Sequence, residues 1–104
     1  MKYGNKTTIV DGILFASMKE ARRFQELVLE QRAGIISDLK TQVAFELIPK
    51  QDGERAVKYI ADFVYTDKQT GMQVVEDTKG YRTDVFKIKR KLMLYVHGIR
   101  IKEI

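Results

Sequence analysis

Residues 74–80 read Val-Val-Glu-Asp-Thr-Lys-Gly, a stretch that begins as an interior β-strand and ends in charged side chains. The β-branched residues favour a strand, and Gly80 ends it. Asp77 and Lys79 are two positions apart and therefore project from the same face of that strand. Glu76 projects from the other face, where we expect a basic partner, although a bulge would let it replace Asp77.

Asp62 is a second carboxylate of interest, because it interrupts the preceding apolar strand, residues 55–65. Burying an isolated carboxylate is unfavourable unless another group compensates it. Pairing the two strands across the polar turn between them places Asp62 opposite residues 75–77. The pattern therefore predicts that Asp62, Asp77 and Lys79 meet at one end of a hairpin.

Two carboxylates and a lysine form a chemically specific trio. Carboxylate oxygens can hold Mg²⁺, which keeps several waters and takes phosphate oxygens from a substrate. Such an ion activates water and stabilises the charge that develops on a phosphate, and Lys79 would orient the water or neutralise the intermediate. The alternative is structural, with a salt bridge between Asp77 and Lys79 and a backbone amide capping Asp62.

Composition narrows the class of protein. The 104 residues fit a single domain spanning residues 1–104. The chain has no cysteine and a single histidine, His97, which excludes disulfides and argues against a zinc site. An excess of 19 basic over 14 acidic residues favours a polyanionic partner such as nucleic acid. No apolar run is long enough for a membrane span and no signal-peptide core is present, so we expect a cytoplasmic protein.

The remaining patterns predict an α/β fold. The predicted elements are a hairpin turning at Asp11-Gly12 (7–15), a helix (17–33), three strands (35–48, 55–65, 72–79), a second helix from residue 83 or 84 to 96, and a last strand (99–104). After the short N-terminal hairpin the order is α-β-β-β-α-β, which gives a mixed central sheet flanked by helices.

Helical and strand periodicity also predict which side chains face the core. On the first helix they are Ala21, Phe24, Leu27, Val28 and Gln31. On the second helix they are Val85, Ile88, Leu92 and Tyr95. In the central strand, alternation places four residues on one face: Tyr59, Ala61, Phe63 and Tyr65.

The order of these elements and their charged residues resembles the PD-(D/E)XK nuclease superfamily. The resemblance is carried by a helix bearing Glu20, by strands with Ala-Asp (61–62) and Glu-Asp-Thr-Lys-Gly (76–80), and by the basic helix and strand that follow. Other stretches are similar to a group of small phage-encoded proteins placed in that superfamily: Tyr-Gly-Asn-Lys (3–6), Asp-Gly-Ile-Leu-Phe-Ala-Ser-Met-Lys-Glu-Ala-Arg-Arg-Phe (11–24) and Gly-Ile-Ile-Ser-Asp-Leu (34–39). The resemblance covers most of the chain and implies a restriction-endonuclease-like core.

The resemblance also implies roles for individual residues. Asp62 and Asp77 match the two metal-binding carboxylates, Lys79 matches the motif lysine, and Glu20 matches an added acidic ligand. Ala61 stands where the motif has proline, and Asp77 is shorter than the more frequent glutamate. Ser17-Met18-Lys19-Glu20 also fits a capping box, so capping is the alternative role for Glu20.

By resemblance the protein would be a Mg²⁺-dependent endodeoxyribonuclease, with Mn²⁺ as a substitute. We favour a homodimer that resolves branched DNA, such as a Holliday junction, during phage DNA replication, recombination or packaging in a bacterial host. Residues expected to contact phosphates are Arg22, Arg23, Tyr81, Arg82, Lys87, Arg90 and Lys91. The alternatives are a non-catalytic basic DNA-binding accessory protein on the same fold, or a structural domain in which the charges are simply solvated or paired.

Overall fold

The computed structural model describes residues 7–78 and 81–104 of the chain. In chain order the elements are β1 (Thr8–Val10), β2 (Ile13–Phe15), α1 (Met18–Arg32), β3 (Ile36–Ile48), β4 (Val57–Asp67), β5 (Gln73–Asp77), α2 (Asp84–His97) and β6 (Lys102–Glu103). Strands β1 and β2 form a separate hairpin, and the larger sheet has the order β3-β4-β5-β6. Since β6 runs parallel to β5 while the other neighbours are antiparallel, the predicted mixed sheet is confirmed.

Side-chain caps fix both helix starts. The Ser17 hydroxyl accepts a hydrogen bond from the Glu20 amide at 3.1 Å, and the Thr83 hydroxyl accepts one from the Phe86 amide at 3.0 Å. At the end of α2, Gly98 adopts a left-handed conformation with φ 67°, which suits a residue without a side chain. The helix boundaries predicted from these signals are therefore confirmed to within one or two residues.

Two hydrophobic clusters cover the two faces of the sheet. The cluster on the side of α2 contains Leu47, Tyr59, Ala61, Val64, Val75, Phe86, Met93 and Ile101. The cluster on the side of α1 contains Phe15, Ala21, Phe24, Leu27, Ile36, Phe63 and Tyr65. Val74 packs against the second cluster and Val75 lies in the first, as expected for adjacent residues of one strand.

Strand β4 does not keep a regular alternation, so that prediction is wrong. Tyr59 and Ala61 belong to the cluster beside α2, whereas Phe63 and Tyr65 belong to the cluster beside α1. Residues an even number of positions apart would share a face in a regular strand. The strand therefore changes faces at Asp62.

The neighbouring strand β3 changes faces in the same row. The ladder pairs Thr41 with Phe63 and Val43 with Ala61, which sets Gln42 opposite Asp62. Gln42 has a left-handed backbone with φ 53°, a conformation that non-glycine residues adopt only in special places. The distortion at Gln42 explains physically why the regular alternation of faces does not hold in these strands.

The predicted inner face of α2 is also wrong. Phe86 and Met93 are the buried side chains of this helix, and Phe86 lies 6.4 Å from the Tyr59 ring, centroid to centroid. The expected core residues are instead largely exposed, at 61%, 57% and 87%: Val85, Ile88 and Tyr95. Leu92 alone of that predicted set packs, partly buried, against the core.

The remaining differences are small. The last strand is shorter than expected, covering Lys102–Glu103 instead of 99–104, because Ile99 and Ile101 pack on the core without joining the ladder. Across the two described ranges, no helix is both long enough and apolar enough to cross a membrane.

Candidate active site

A row of polar side chains crosses the sheet where β3 and β4 change faces. Phe63 pairs with Glu76, so the antiparallel register continues with Asp62 opposite Asp77. Asp77 in turn pairs with Glu103 on β6. The row Gln42, Asp62, Asp77 and Glu103 thus occupies one position on each of the four strands. The predicted approach of Asp62 to residues 75–77 is confirmed.

Asp62 is half-buried and is held by the residue that follows Asp77. Its Oδ2 accepts hydrogen bonds from the Thr78 amide and from the Thr78 hydroxyl, both at 2.8 Å. The backbone cap considered for Asp62 is therefore present, and it ties β4 to the end of β5. Lys79 and Gly80 come next and lie outside the described residues, so the predicted lysine stays a prediction.

Asp77 is completely buried, and a tyrosine hydroxyl orients it. The hydroxyl of Tyr59 donates to Asp77 Oδ2 at 2.5 Å. Burial and then this hydrogen bond raise the pKa of Tyr59 well above its usual value. Tyr59 therefore stays a protonated donor at any pH at which the protein would work.

Glu76 lies on the opposite face of β5 and is fully buried within an ion pair. The Arg23 guanidinium donates from Nε to Oε1 at 2.9 Å and from Nη2 to Oε2 at 2.7 Å, and the Tyr65 hydroxyl also donates to Oε2. The bond to Glu76 is the main cause that raises the pKa of Arg23. The predicted basic partner of Glu76 is confirmed, and the bidentate pairing makes Glu76 a structural residue.

Glu20 is 5% exposed and joins α1 to the row. Its amide is capped by Ser17, while its Oε2 accepts a hydrogen bond from Gln42 Nε2 at 3.1 Å. Glu20 thus serves the helix cap through its backbone and contacts the row through its side chain. Residues 7–78 and 81–104 contain no group of three or more His, Cys, Asp or Glu side chains arranged to hold a metal ion.

Gln42 and Glu103 are the members of the row that sequence reasoning did not assign to the site. Gln42 is an isolated glutamine among alternating polar residues and Glu103 is a glutamate near residue 104, so neither belongs to a sequence motif. Both positions follow only from the register of the sheet, which pairs them with Asp62 and Asp77. Tyr59 could have been found only by knowing that β4 changes faces.

The basic residues expected to contact DNA divide into two groups. Arg23 is bound to Glu76, and Arg82 and Arg90 are both bound to Glu103. The hydrogen bond from Arg82, and then that from Arg90, lowers the pKa of Glu103. Three other cations are exposed and form no ion pair in the described ranges: Arg22, Lys87 and Lys91. Tyr81 is 62% exposed.

The chain belongs to the family described as "Protein of unknown function (DUF1064)", whose model matches residues 1–102. The curated proteins give no match to it, and neither do the solved structures. The family places nearly the whole chain in one group of relatives without assigning it an activity.

Proposed function

We propose that this member of the DUF1064 family is a metal-dependent DNA endonuclease with a restriction-endonuclease-like core, and that Asp62, Asp77 and Lys79 form its active site. The observation that carries the proposal is the register of β4 and β5, in which Phe63 pairs with Glu76 and the next position brings Asp62 opposite Asp77. Both carboxylates are oriented by hydrogen bonds, from Thr78 and Tyr59 respectively. The order of helices and strands agrees with such a core.

The donor set suits a hard divalent cation. Mg²⁺ is commonly bound by one or two carboxylates, with waters and substrate phosphate oxygens completing its shell. When bound, such an ion would make water more acidic and stabilise the negative charge of the phosphate undergoing hydrolysis. Asp62 and Asp77 would hold it, Mn²⁺ could replace it, and Glu20 would contribute from α1 through the contact with Gln42.

The protein's own groups set the geometry of this chemistry. The Tyr59 hydroxyl orients Asp77, and the two Thr78 donors orient Asp62. Lys79, one residue further along, would position the attacking water or stabilise the phosphate charge. The exposed cations Arg22, Lys87 and Lys91 would contact phosphates, which carry no sequence information, so a branched DNA recognised by its shape is the substrate we propose.

Cleavage of both strands of a junction would require two active sites. We therefore propose that the protein acts as a homodimer, related by a twofold axis. Sedimentation of the protein alone and on four-way DNA measures the stoichiometry. A single protomer that cuts both strands of a junction would contradict the dimer without contradicting the nuclease.

The activity is tested with linear, flapped and four-way DNA incubated with Mg²⁺, Mn²⁺, Ca²⁺ or chelator. We expect binding with Ca²⁺, which tolerates looser geometry, and cleavage only with Mg²⁺ or Mn²⁺. Asp62→Asn and Lys79→Ala should bind DNA without cutting it. Tyr65→Phe, which alters the buried ion pair on the other face, is the matched control and should cut.

Two results would reject the nuclease. If DNA is bound but no metal yields a product on any substrate, the protein is a DNA-binding accessory protein. If DNA is not bound even at low salt, the charged row is structural and neither nucleic-acid function holds.

A further inference from the structure

A groove lies between the second half of α2 and the segment that leads into β6. Its volume is about 370 Å³. The residues that line it are Arg90, Lys91, Leu94, Arg100, Ile101 and Glu103. We refer to it as the basic groove, since three of its side chains are cationic and one is acidic. Ile101 is 5% exposed and belongs to the core, which gives the groove a fixed floor.

Only part of the positive charge in the basic groove is neutralised by the protein. Arg90 donates to Glu103 Oε2 at 3.2 Å, and Glu103 also accepts from Arg82. Lys91 and Arg100 are exposed and have no ion pair within residues 7–78 and 81–104. The groove therefore offers two uncompensated cations beside a carboxylate that is already paired, an arrangement that favours an anion over a neutral ligand.

The basic groove begins beside the proposed active site. Glu103, at its edge, is the direct ladder partner of Asp77. Neighbouring strands in a sheet are about 4.8 Å apart. A nucleic-acid strand with one phosphate at Asp62 and Asp77 would therefore carry a neighbouring phosphate towards Lys91 and Arg100.

We propose that the basic groove is a phosphate subsite for the DNA strand, with Lys91 and Arg100 as its two contacts. The proposal rests on the proposed function, in which DNA is the substrate. It adds Arg100 to the expected phosphate contacts, a residue that follows α2 and is not among the basic residues predicted from the sequence. Arg90 has a different role, because its ion pair with Glu103 fixes the wall of the groove.

A second cavity shows why cations alone do not define such a subsite. It has a volume of about 710 Å³, and Arg23, Glu30, Asp67, Lys68 and Lys102 are among its lining residues. Arg23 is committed to Glu76, and two carboxylates, Glu30 and Asp67, face the same space. Lys68 follows the end of β4, roughly 20 Å from Asp62 at the usual rise per residue. Lys68 therefore serves as a matched control outside the proposed DNA path.

The test measures DNA binding in Ca²⁺ by the full chain over a range of salt concentrations. The variant Lys91→Gln/Arg100→Gln should lose at least about fivefold in affinity, equally on linear and four-way DNA, because phosphate contacts carry no sequence information. The slope of log affinity against log salt should fall by about two, one for each lost contact. Lys68→Gln should bind as the wild type does.

The outcomes separate the basic groove from the nuclease. Wild-type affinity and slope in the double variant would overturn the groove, as would an equal loss in Lys68→Gln or an absence of DNA binding by the wild type. In one outcome the wild type binds DNA without ever cutting it, while the double variant loses DNA affinity and Lys68→Gln does not. In that case the nuclease proposal fails and the proposal for the basic groove stands. Circular dichroism confirms that each variant is folded before binding is compared.

Discussion

Glu76 and Asp77 are adjacent on β5 and both are completely buried, but they face opposite sides of the sheet and differ in their partners. On the side of α1, Glu76 is bound at both oxygens by Arg23, and Tyr65 adds a hydroxyl. On the side of α2, Asp77 accepts the hydroxyl of Tyr59.

The difference shows how one strand can carry a structural carboxylate beside a candidate catalytic one. A carboxylate in a bidentate ion pair has little freedom to take a metal ion, because its charge and both oxygens are already used. Asp77 is instead oriented by a hydrogen bond from the Tyr59 hydroxyl to Oδ2. Changes around Glu76 should therefore alter stability, and changes around Asp77 should alter activity.

The largest effect is expected at Arg23. Arg23→Ala leaves Glu76 buried without its cation, which should lower the free energy of unfolding by about 3–5 kcal/mol. Denaturant unfolding measures the loss. The triple change Arg23→Met/Glu76→Leu/Tyr65→Phe removes the charges and the hydroxyl together and should recover most of it. A loss below about 1 kcal/mol in Arg23→Ala would contradict a structural role for the pair.

The next effect concerns activity at Asp77. Asp77→Asn keeps an oxygen that can accept from Tyr59 but removes the charge, so cleavage should fall at least about a hundredfold. Its melting temperature should stay close to that of the wild type. Single-turnover cleavage at saturating DNA makes the comparison. Full activity in this variant would remove Asp77 from the site.

The two tyrosines provide the sharpest contrast between the faces. Tyr59→Phe and Tyr65→Phe each remove a hydrogen bond to a buried carboxylate, and each should cost about 1.5–3 kcal/mol of stability. Only Tyr59→Phe should also weaken cleavage, by about tenfold or more, with a higher metal requirement. Metal titrations of both variants give the result. Equal losses of activity in the two variants would show that the faces do not differ in function.

The smallest effect is expected at Glu103, the ladder partner of Asp77. The hydrogen bonds from Arg82 and Arg90 lower the pKa of Glu103 in the folded protein. Glu103 therefore contributes to stability above the pKa of about 4.3 that a glutamate has in the unfolded chain, and this contribution is lost as the pH falls through the lower pKa of the folded state. Glu103→Gln should lower the melting temperature at pH 7 by less than about 5 °C. The difference from the wild type should shrink steadily below about pH 4, as measured by thermal scans. A constant difference at all pH values would exclude the ion pairs as its cause.

Local signals were sufficient for much of the fold. Asp11 and Gly12 both have positive φ, at 52° and 78°, as an Asp-Gly turn between short strands requires. Ser17 and Thr83 cap the helices through their own side chains. These features could be predicted because each depends on residues within a few positions of one another.

Features that depend on competing surfaces could not be predicted in this way. Helix α2 has two apolar stripes, and helical periodicity does not reveal whether Phe86 and Met93 or Val85 and Ile88 meet the sheet. The left-handed backbone at Gln42 has no residue-type signal, because glutamine rarely adopts it.

The candidate site was only partly predictable for a similar reason. Asp62 and Asp77 could be placed from strand pairing alone. The pairing of Arg23 with Glu76 joins positions 53 apart in the chain, and no spacing rule selects one arginine among several. For the same reason, sequence could not show that Arg82 and Arg90 are engaged by Glu103.

The change of faces at Asp62 has a consequence for how this family can vary in length. Tyr59 and Tyr65 reach opposite sides of the sheet only because the strand inverts between them. Inserting or deleting one residue there would put both tyrosines on the same side and remove the hydroxyl from either Glu76 or Asp77. The turns at 51–54 and 68–72 carry no such constraint, and lengthening a surface turn is thermodynamically mild. Relatives should therefore differ in length in those turns while the spacing from Tyr59 to Tyr65 stays constant.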